Sequence, residues 1–219
     1  MTPRIPAIPR NAALLIGMLL LILVTPSADT QRARFVLELM FDLILLSGVH
    51  AAGVSRHRWA FGALTAVTLA VRWSRVLIDD YHYDLVALSF SAAWLVYATW
   101  IIVGQLFQRR DVTIDTILGA INVYLLIAVA FMMIYQIIEL HDPGSFAGLP
   151  TVTHERPTQV GSAMLYFSFV CLTTMGFGDI VPASDLSRPL VVMEGVIGQL
   201  YLAIMIARLV GLHISRTSG

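Results

Sequence analysis

The chain has 219 residues, 58% of them hydrophobic and 13% charged, with a mean hydropathy of +0.79. A soluble domain averages about 25% charged residues, so this composition describes a membrane protein. Fourteen basic residues, all arginine, balance fourteen acids, which argues against nucleic acid as a partner, and the single Cys171 excludes an intrachain disulfide.

Six apolar segments approach the roughly 20 residues that a bilayer requires, and they predict an all-α membrane protein. The first, Asn11–Thr25, follows Arg4 and Arg10 and is short, which also fits a signal peptide. Thr25-Pro26-Ser27-Ala28 is a poor cleavage site and favours the first-helix reading. The second, Phe35–Val54, carries Glu38 and Asp42 on one face, and the third, Trp59–Ile78, carries Arg72 and Arg75 on one face. Antiparallel packing matches Glu38 with Arg75 and Asp42 with Arg72, so two intramembrane ion pairs are expected to clamp these helices. The fourth, Leu85–Phe107, contains no basic residue.

The stretch Gln108-Arg109-Arg110-Asp111 then divides two modules: residues 1–110, a four-helix bundle, and residues 111–219, a pair of helices around a shorter element. The outer helix is expected at 116–138. A segment at 160–172 is too short to span and suits a re-entrant half-helix, with Thr158 as its N-cap after Pro157. The last helix, 187–212, holds Glu194, and a carboxylate within a membrane helix is a functional candidate by default. The chain ends soon afterwards, so no cytosolic regulatory ligand is expected.

Arginine bias sets the orientation. Arg4, Arg10, Arg56, Arg58, Arg109, Arg110, Arg208 and Arg216 fall on one side; Asp79, Asp80, Asp84, Glu139, Asp142, Glu155, Asp179 and Asp185 fall on the other. Arg32, Arg34, Arg156 and Arg188 dilute this pattern without reversing it. Both termini are expected to be cytoplasmic, in the inner membrane of the cell, with lipids as neighbours.

Between the half-helix and the last helix runs Thr173-Thr174-Met175-Gly176-Phe177-Gly178-Asp179, followed by Pro182. This segment resembles the selectivity filter of the pore-loop potassium channel superfamily, whose common form is T-T-x-G-[YF]-G-D. The resemblance is specific over roughly residues 160–212 and only architectural before that. It implies that the carbonyls of Thr174, Met175, Gly176 and Phe177, with Gly178 and the Thr174 hydroxyl, bind permeant K+ ions. Thr173, Tyr166, Phe167 and Phe169 then support the filter from behind. Asp179 and Asp185, with Glu139, Asp142 and Glu155, form a negative vestibule. Glu194 falls behind the filter, within reach of pore-helix polar groups or Gln199. It is either a structural hydrogen bond or a group whose proton affects permeation. Gly195 and Gly198 fall where the family often carries a hinge glycine, and Leu202, Ile206 and Val210 follow at steps of four as a lining and gate.

One pore loop per chain implies a homotetramer, because a closed four-fold filter needs three further copies. The implied function is a potassium-selective channel. The fourth helix lacks the arginines of a voltage sensor, since each charge is worth only about 2.3 kcal/mol per 100 mV. Met175 departs from the usual Val or Ile, and Phe177 lacks the hydroxyl of Tyr. A weakly selective cation channel and a non-conducting scaffold or sensor subunit therefore fit the same residues. Nothing suggests an enzyme or an organic cofactor: no nucleophile–base pair, metal cluster or phosphate loop is present, and the six histidines have no metal-ligand spacing.

Overall fold

The computed structural model describes residues 9, 11–25, 31–52, 58–77, 81–109, 111–149 and 157–217. Its helices are α1 (Ala12–Val24), α2 (Gln31–Ala52), α3 (Arg58–Leu77), α4 (Tyr81–Gln108), α5 (Ile114–His141), α6 (Pro157–Leu172) and α7 (Ser187–Thr217). A two-residue antiparallel ladder, β1 (Phe146–Ala147) on β2 (Val181–Pro182), completes the described elements. The protein is all-α, as the hydropathy pattern requires.

Among the described residues, three helices, Tyr83–Gln108, Ile114–His141 and Ser187–Leu212, are long and apolar enough to cross a membrane by length and composition. They fall where the last two expected spans and the fourth do. The 13 residues of α1 reach only about 20 Å at 1.5 Å per residue. The helices α2 and α3 run 22 and 20 residues and carry Glu38, Asp42, Arg72 and Arg75, with the side chains at both ends of α2 and at the end of α3 outside the described residues.

The centre of the molecule is α5. It is apolar nearly all round, and such a helix is stable only when other helices cover it. It packs against α1, α4, α6 and α7, and 61% of its span is buried. Thr113 and Thr116 close a reciprocal capping box at its start. There Asp115 accepts from the Asn11 backbone amide at 3.0 Å and from Arg109 Nη1 at 2.9 Å. Asn122 Nδ2 donates to the Asn11 carbonyl at 2.8 Å. Through these bonds α1 is tied to α5 as well as to α2.

The bundle core forms around Trp94, which stacks on Phe61 at 5.1 Å and donates its indole N–H to Thr65 Oγ1 at 2.7 Å. Gly48 makes room for it, since a Cβ there would stand 2.4 Å from the indole. Asp42 pairs with Arg72 as expected, and Arg72 also meets Glu38. Arg72 is 8% exposed, bonds Glu38, and meets Asp42 Oδ1 through Nε at 3.2 Å. Its guanidinium has donors on two edges, so one arginine can serve two acids. Trp73 Nε1 donates to the other Asp42 oxygen at 3.0 Å. The Arg75 side chain lies outside the described residues.

The short helix α6 also begins earlier than expected. Pro157 is its first residue, where a missing N–H costs nothing, so Thr158 lies in the first turn and is not the N-cap.

Candidate ion pathway

The pathway starts where α6 ends. The Thr174 amide donates to the Cys171 carbonyl at 3.0 Å and the Met175 amide to the Val170 carbonyl at 2.9 Å. Thr174 has φ +58. A 5→2 bond, a 6→1 bond and a left-handed residue together make a Schellman cap, with Thr174 in the place glycine usually takes. A β-branched residue in that region is a genuine outlier, and such strain persists only where surrounding contacts impose it. The other carbonyls of the last turn are satisfied too. Thr173 gives both its amide and its hydroxyl to Phe169, at 3.0 and 2.6 Å, and Tyr124 donates to Leu172 at 3.2 Å.

Positive φ then recurs at every second residue: Thr174 at +58, Gly176 at +59 and Gly178 at +77. In a regular strand successive carbonyls point to opposite sides. Alternating the sign of φ turns them to one side instead. Glycine supplies this at low cost for two of the three positions, which is the physical content of the Gly176-Phe177-Gly178 spelling. Residues 174–179 are all exposed in the single chain, with Met175 at 62% and Phe177 at 65%.

The support behind the segment is aromatic. Phe167 is buried against Tyr135 and Phe146, with ring centroids 5.5 Å from each, and Phe169 is partly buried in the same core. Tyr166 stacks on Phe177 at 6.3 Å with the rings nearly parallel. Interaction with the Asp179 carboxylate raises its phenol above the ordinary value. Tyr166 of α6 thus carries the hydroxyl that Phe177 lacks.

Beyond this segment β1 holds β2, and Gly148 sits directly against Asp179. A Cβ at Gly148 would stand 1.9 Å from the Asp179 carbonyl oxygen, and its φ is +87. This contact is not legible from the residues themselves. Asp179 and Asp185 are exposed there. Glu139 is not a vestibule acid: it is 6% exposed and turns inward, accepting the amides of Gly144 at 2.8 Å and Phe146 at 3.0 Å. The loop's free N–H groups, rather than solvent, satisfy its charge. Asp142 accepts from the Ser145 hydroxyl at 3.1 Å, and Glu155 lies outside the described residues.

Only 17% of the α7 span is buried. Gly198 is the point of closest approach, since a Cβ there would meet the Leu172 carbonyl oxygen at 2.8 Å; Gly195 has looser packing, 3.8 Å from Cys171. Small residues are needed here for packing, and α7 runs unbroken through both. Leu202 is half-buried, whereas Ile206 and Val210 are 59% and 52% exposed. Further along α7, Arg208 reaches across to the end of α4. Its Nη1 donates to Leu106 at 2.5 Å, and its Nη2 to Phe107 and Arg109 at 2.9 and 2.8 Å.

Glu194 is fully buried between three helices. Tyr135 of α5 donates to its Oε2 at 2.6 Å, and Ser168 of α6 lies 2.5 Å from its Oε1. Gln199 is exposed instead. Neither Tyr135 nor Ser168 stood out in sequence, because each reads as an ordinary helix residue.

Residues 121–213 match a family model described as "Ion channel", a stretch that runs from within α5 to near the end of α7. Protein LctB of Bacillus caldotenax is 24% identical over 115 residues, which cover 52% of this chain and 84% of LctB. No solved structure matches the chain.

Proposed function

We propose that this chain, whose residues 121–213 carry an ion-channel domain, is one subunit of a homotetrameric potassium-selective channel. The observation that carries the reading is the alternating sign of φ at 174, 176 and 178, which aims the intervening carbonyls to one side. Four such strands around an axis make rings of oxygens able to replace the hydration shell of K+. The exposed filter and the largely uncovered α7 are the surfaces that a four-fold ring would use.

In this reading hydrated K+ collects at a mouth ringed by Asp179 and Asp185. It sheds water onto the carbonyls of Thr174, Met175, Gly176 and Phe177, with Gly178 at the exit and the Thr174 hydroxyl below, and it moves by knock-on between sites. The C-terminal end of α6 favours a cation in the cavity beneath. Leu202, Ile206 and Val210 line the inner path. Gating does not use a voltage-sensing fourth helix, because α4 spans Tyr81–Gln108 without an arginine or lysine. Both termini face the cytoplasm, and lipid surrounds the four bundles.

The reversal potential of the purified protein in planar bilayers, with K+ on one side and Na+ on the other, tests this. A reversal close to the potassium equilibrium value is expected. Reversal near zero with real current would mean a weakly selective pore, with Met175 and Phe177 as the first suspects. A stable tetramer silent in every condition would replace the reading with a non-conducting scaffold.

A further inference from the structure

The Ser168 hydroxyl has one proton and two short oxygen neighbours. Its Oγ is 2.7 Å from the Ala128 carbonyl oxygen and 2.5 Å from Glu194 Oε1. The carbonyl can only accept, and so can an ionised carboxylate. If Ser168 gives its proton to Glu194, two bare acceptors face each other at 2.7 Å. If it gives the proton to Ala128, the 2.5 Å contact has no hydrogen unless Glu194 supplies one. A proton shared between the two leaves both contacts half made. Tyr135, the third partner, donates to Oε2 and brings nothing to Oε1.

We propose that Glu194 is held as a neutral carboxylic acid and that its proton, donated to Ser168, positions the pore helix behind the filter. Every group is then satisfied in one direction. Tyr135 donates to Glu194 Oε2, Glu194 Oε1 donates to Ser168, and Ser168 donates to Ala128. The chain leaves α5, crosses α7 and α6, and returns to α5 two turns away. Tyr135, Ser168 and Glu194 are all fully buried, so no water competes at any of these positions. Ser168 stands one turn before the end of α6, and the same stretch of α7 presses Gly195 and Gly198 against Cys171 and Leu172. The height of the Schellman cap, and with it the base of the filter, is fixed by this strut.

The titratable groups within electrostatic reach of Glu194 are Tyr124 and Tyr135 from α5 and Cys171 from α6. All are neutral in ordinary conditions, so none offsets a charge if the proton is lost. Ionisation would remove the donor to Ser168 and, in the tetramer, place four negative charges behind the filter. Glu194 is a positioning residue, and its effect on permeation rests on the channel reading above; its protonation does not.

The experiment is infrared spectroscopy of the full-length protein, paired with permeability measurements across pH, for wild type, Glu194→Gln, Glu194→Ala and Ser168→Ala. The wild type at neutral pH is expected to show the C=O stretch of a protonated carboxylic acid, lost in Glu194→Gln and moved to higher frequency in Ser168→Ala, where the acid loses its acceptor. Glutamine repeats the hydrogen bonds, with its amide donating to Ser168 and its carbonyl accepting from Tyr135. Glu194→Gln should therefore keep wild-type K+ over Na+ selectivity and stay flat into alkaline pH. Wild type should lose selectivity as the acid band disappears, and Glu194→Ala should lose it at every pH. An identical infrared spectrum for wild type and Glu194→Gln would overturn the proposal even if the protein never conducts. So would a Glu194→Gln protein that fails to assemble or is as impaired as Glu194→Ala.

Discussion

Two glycines with positive φ lie in the outer loop and differ in their surroundings. Gly144 has φ +93 and nothing within 4 Å of where a Cβ would stand, while Gly148 has φ +87 and the Asp179 carbonyl at 1.9 Å. An alanine at either position adopts a left-handed conformation that costs about 1–2 kcal/mol. Only at 148 does it also displace backbone at the filter exit. Gly144→Ala should lower thermal stability slightly and leave conductance intact, whereas Gly148→Ala should abolish or sharply reduce potassium current; equal effects on current would refute the steric argument. Glu139 teaches a related lesson about single residues. Its charge was plain in the sequence, but it sits in the last turn of α5, and whether such an acid faces solvent or the backbone that follows depends on which amides the turn leaves unpaired. The turn at Gly144 leaves two.

Among elements, the junction between α4 and α7 depends on Arg208. A helix C-terminus leaves its last carbonyls without partners, and the guanidinium fork supplies donors to three carbonyls at once. Arg208→Gln should lower the unfolding midpoint, with a loss on the order of 1–3 kcal/mol for hydrogen bonds to a charged group. Arg208→Lys should recover little, because a point charge cannot repeat the fork; full recovery by lysine in a thermal melt would refute this. The α2–α3 contact makes a different prediction. Removing Arg72 alone takes the guanidinium away from both Glu38 and Asp42, which are 29% and 13% exposed. Breaking a buried pair costs up to about 3–5 kcal/mol, and partial exposure reduces that figure here. Arg72→Leu should therefore destabilise more than the triple variant Arg72→Leu, Glu38→Gln, Asp42→Asn, as read by denaturation in detergent. Helix spacing revealed that these charges share faces. It could not reveal that one arginine would take both acids, since that depends on side-chain reach across an interface. The positions of the helices were legible for the same reason that the partners of Glu194 were not. Hydropathy reports what each segment buries on average, and a contact such as Tyr135 to Glu194, 59 residues apart, exists only once three helices cross.

For the molecule as a whole, the uneven burial of α5 and α7, 61% against 17%, separates an inner wall complete within one chain from a face that copies of the chain would cover. A four-fold ring makes each filter a joint product of all subunits. Co-expressing wild type with an equal amount of a Gly176→Ala subunit should leave about one-sixteenth of the current if a single defective strand spoils the ring. Half the current remaining would instead indicate that each chain conducts alone. The Gly176 and Gly178 positions were the most legible part of residues 173–179, because positive φ there demands glycine at stated intervals. Thr174 was not legible as a helix cap, because threonine is a poor choice for the left-handed position it occupies.

That cap has a consequence for the sign of the charge admitted. The amides of Thr173, Thr174 and Met175 are all spent on the carbonyls of Phe169, Cys171 and Val170. None is left to point toward the axis. At the base of the proposed pathway the backbone therefore offers carbonyls without amides, and an anion entering there would find only the Thr174 hydroxyl to replace its hydration. In the proposed channel, before ring size or side-chain identity can distinguish one cation from another, the way the helix ends already disfavours anions.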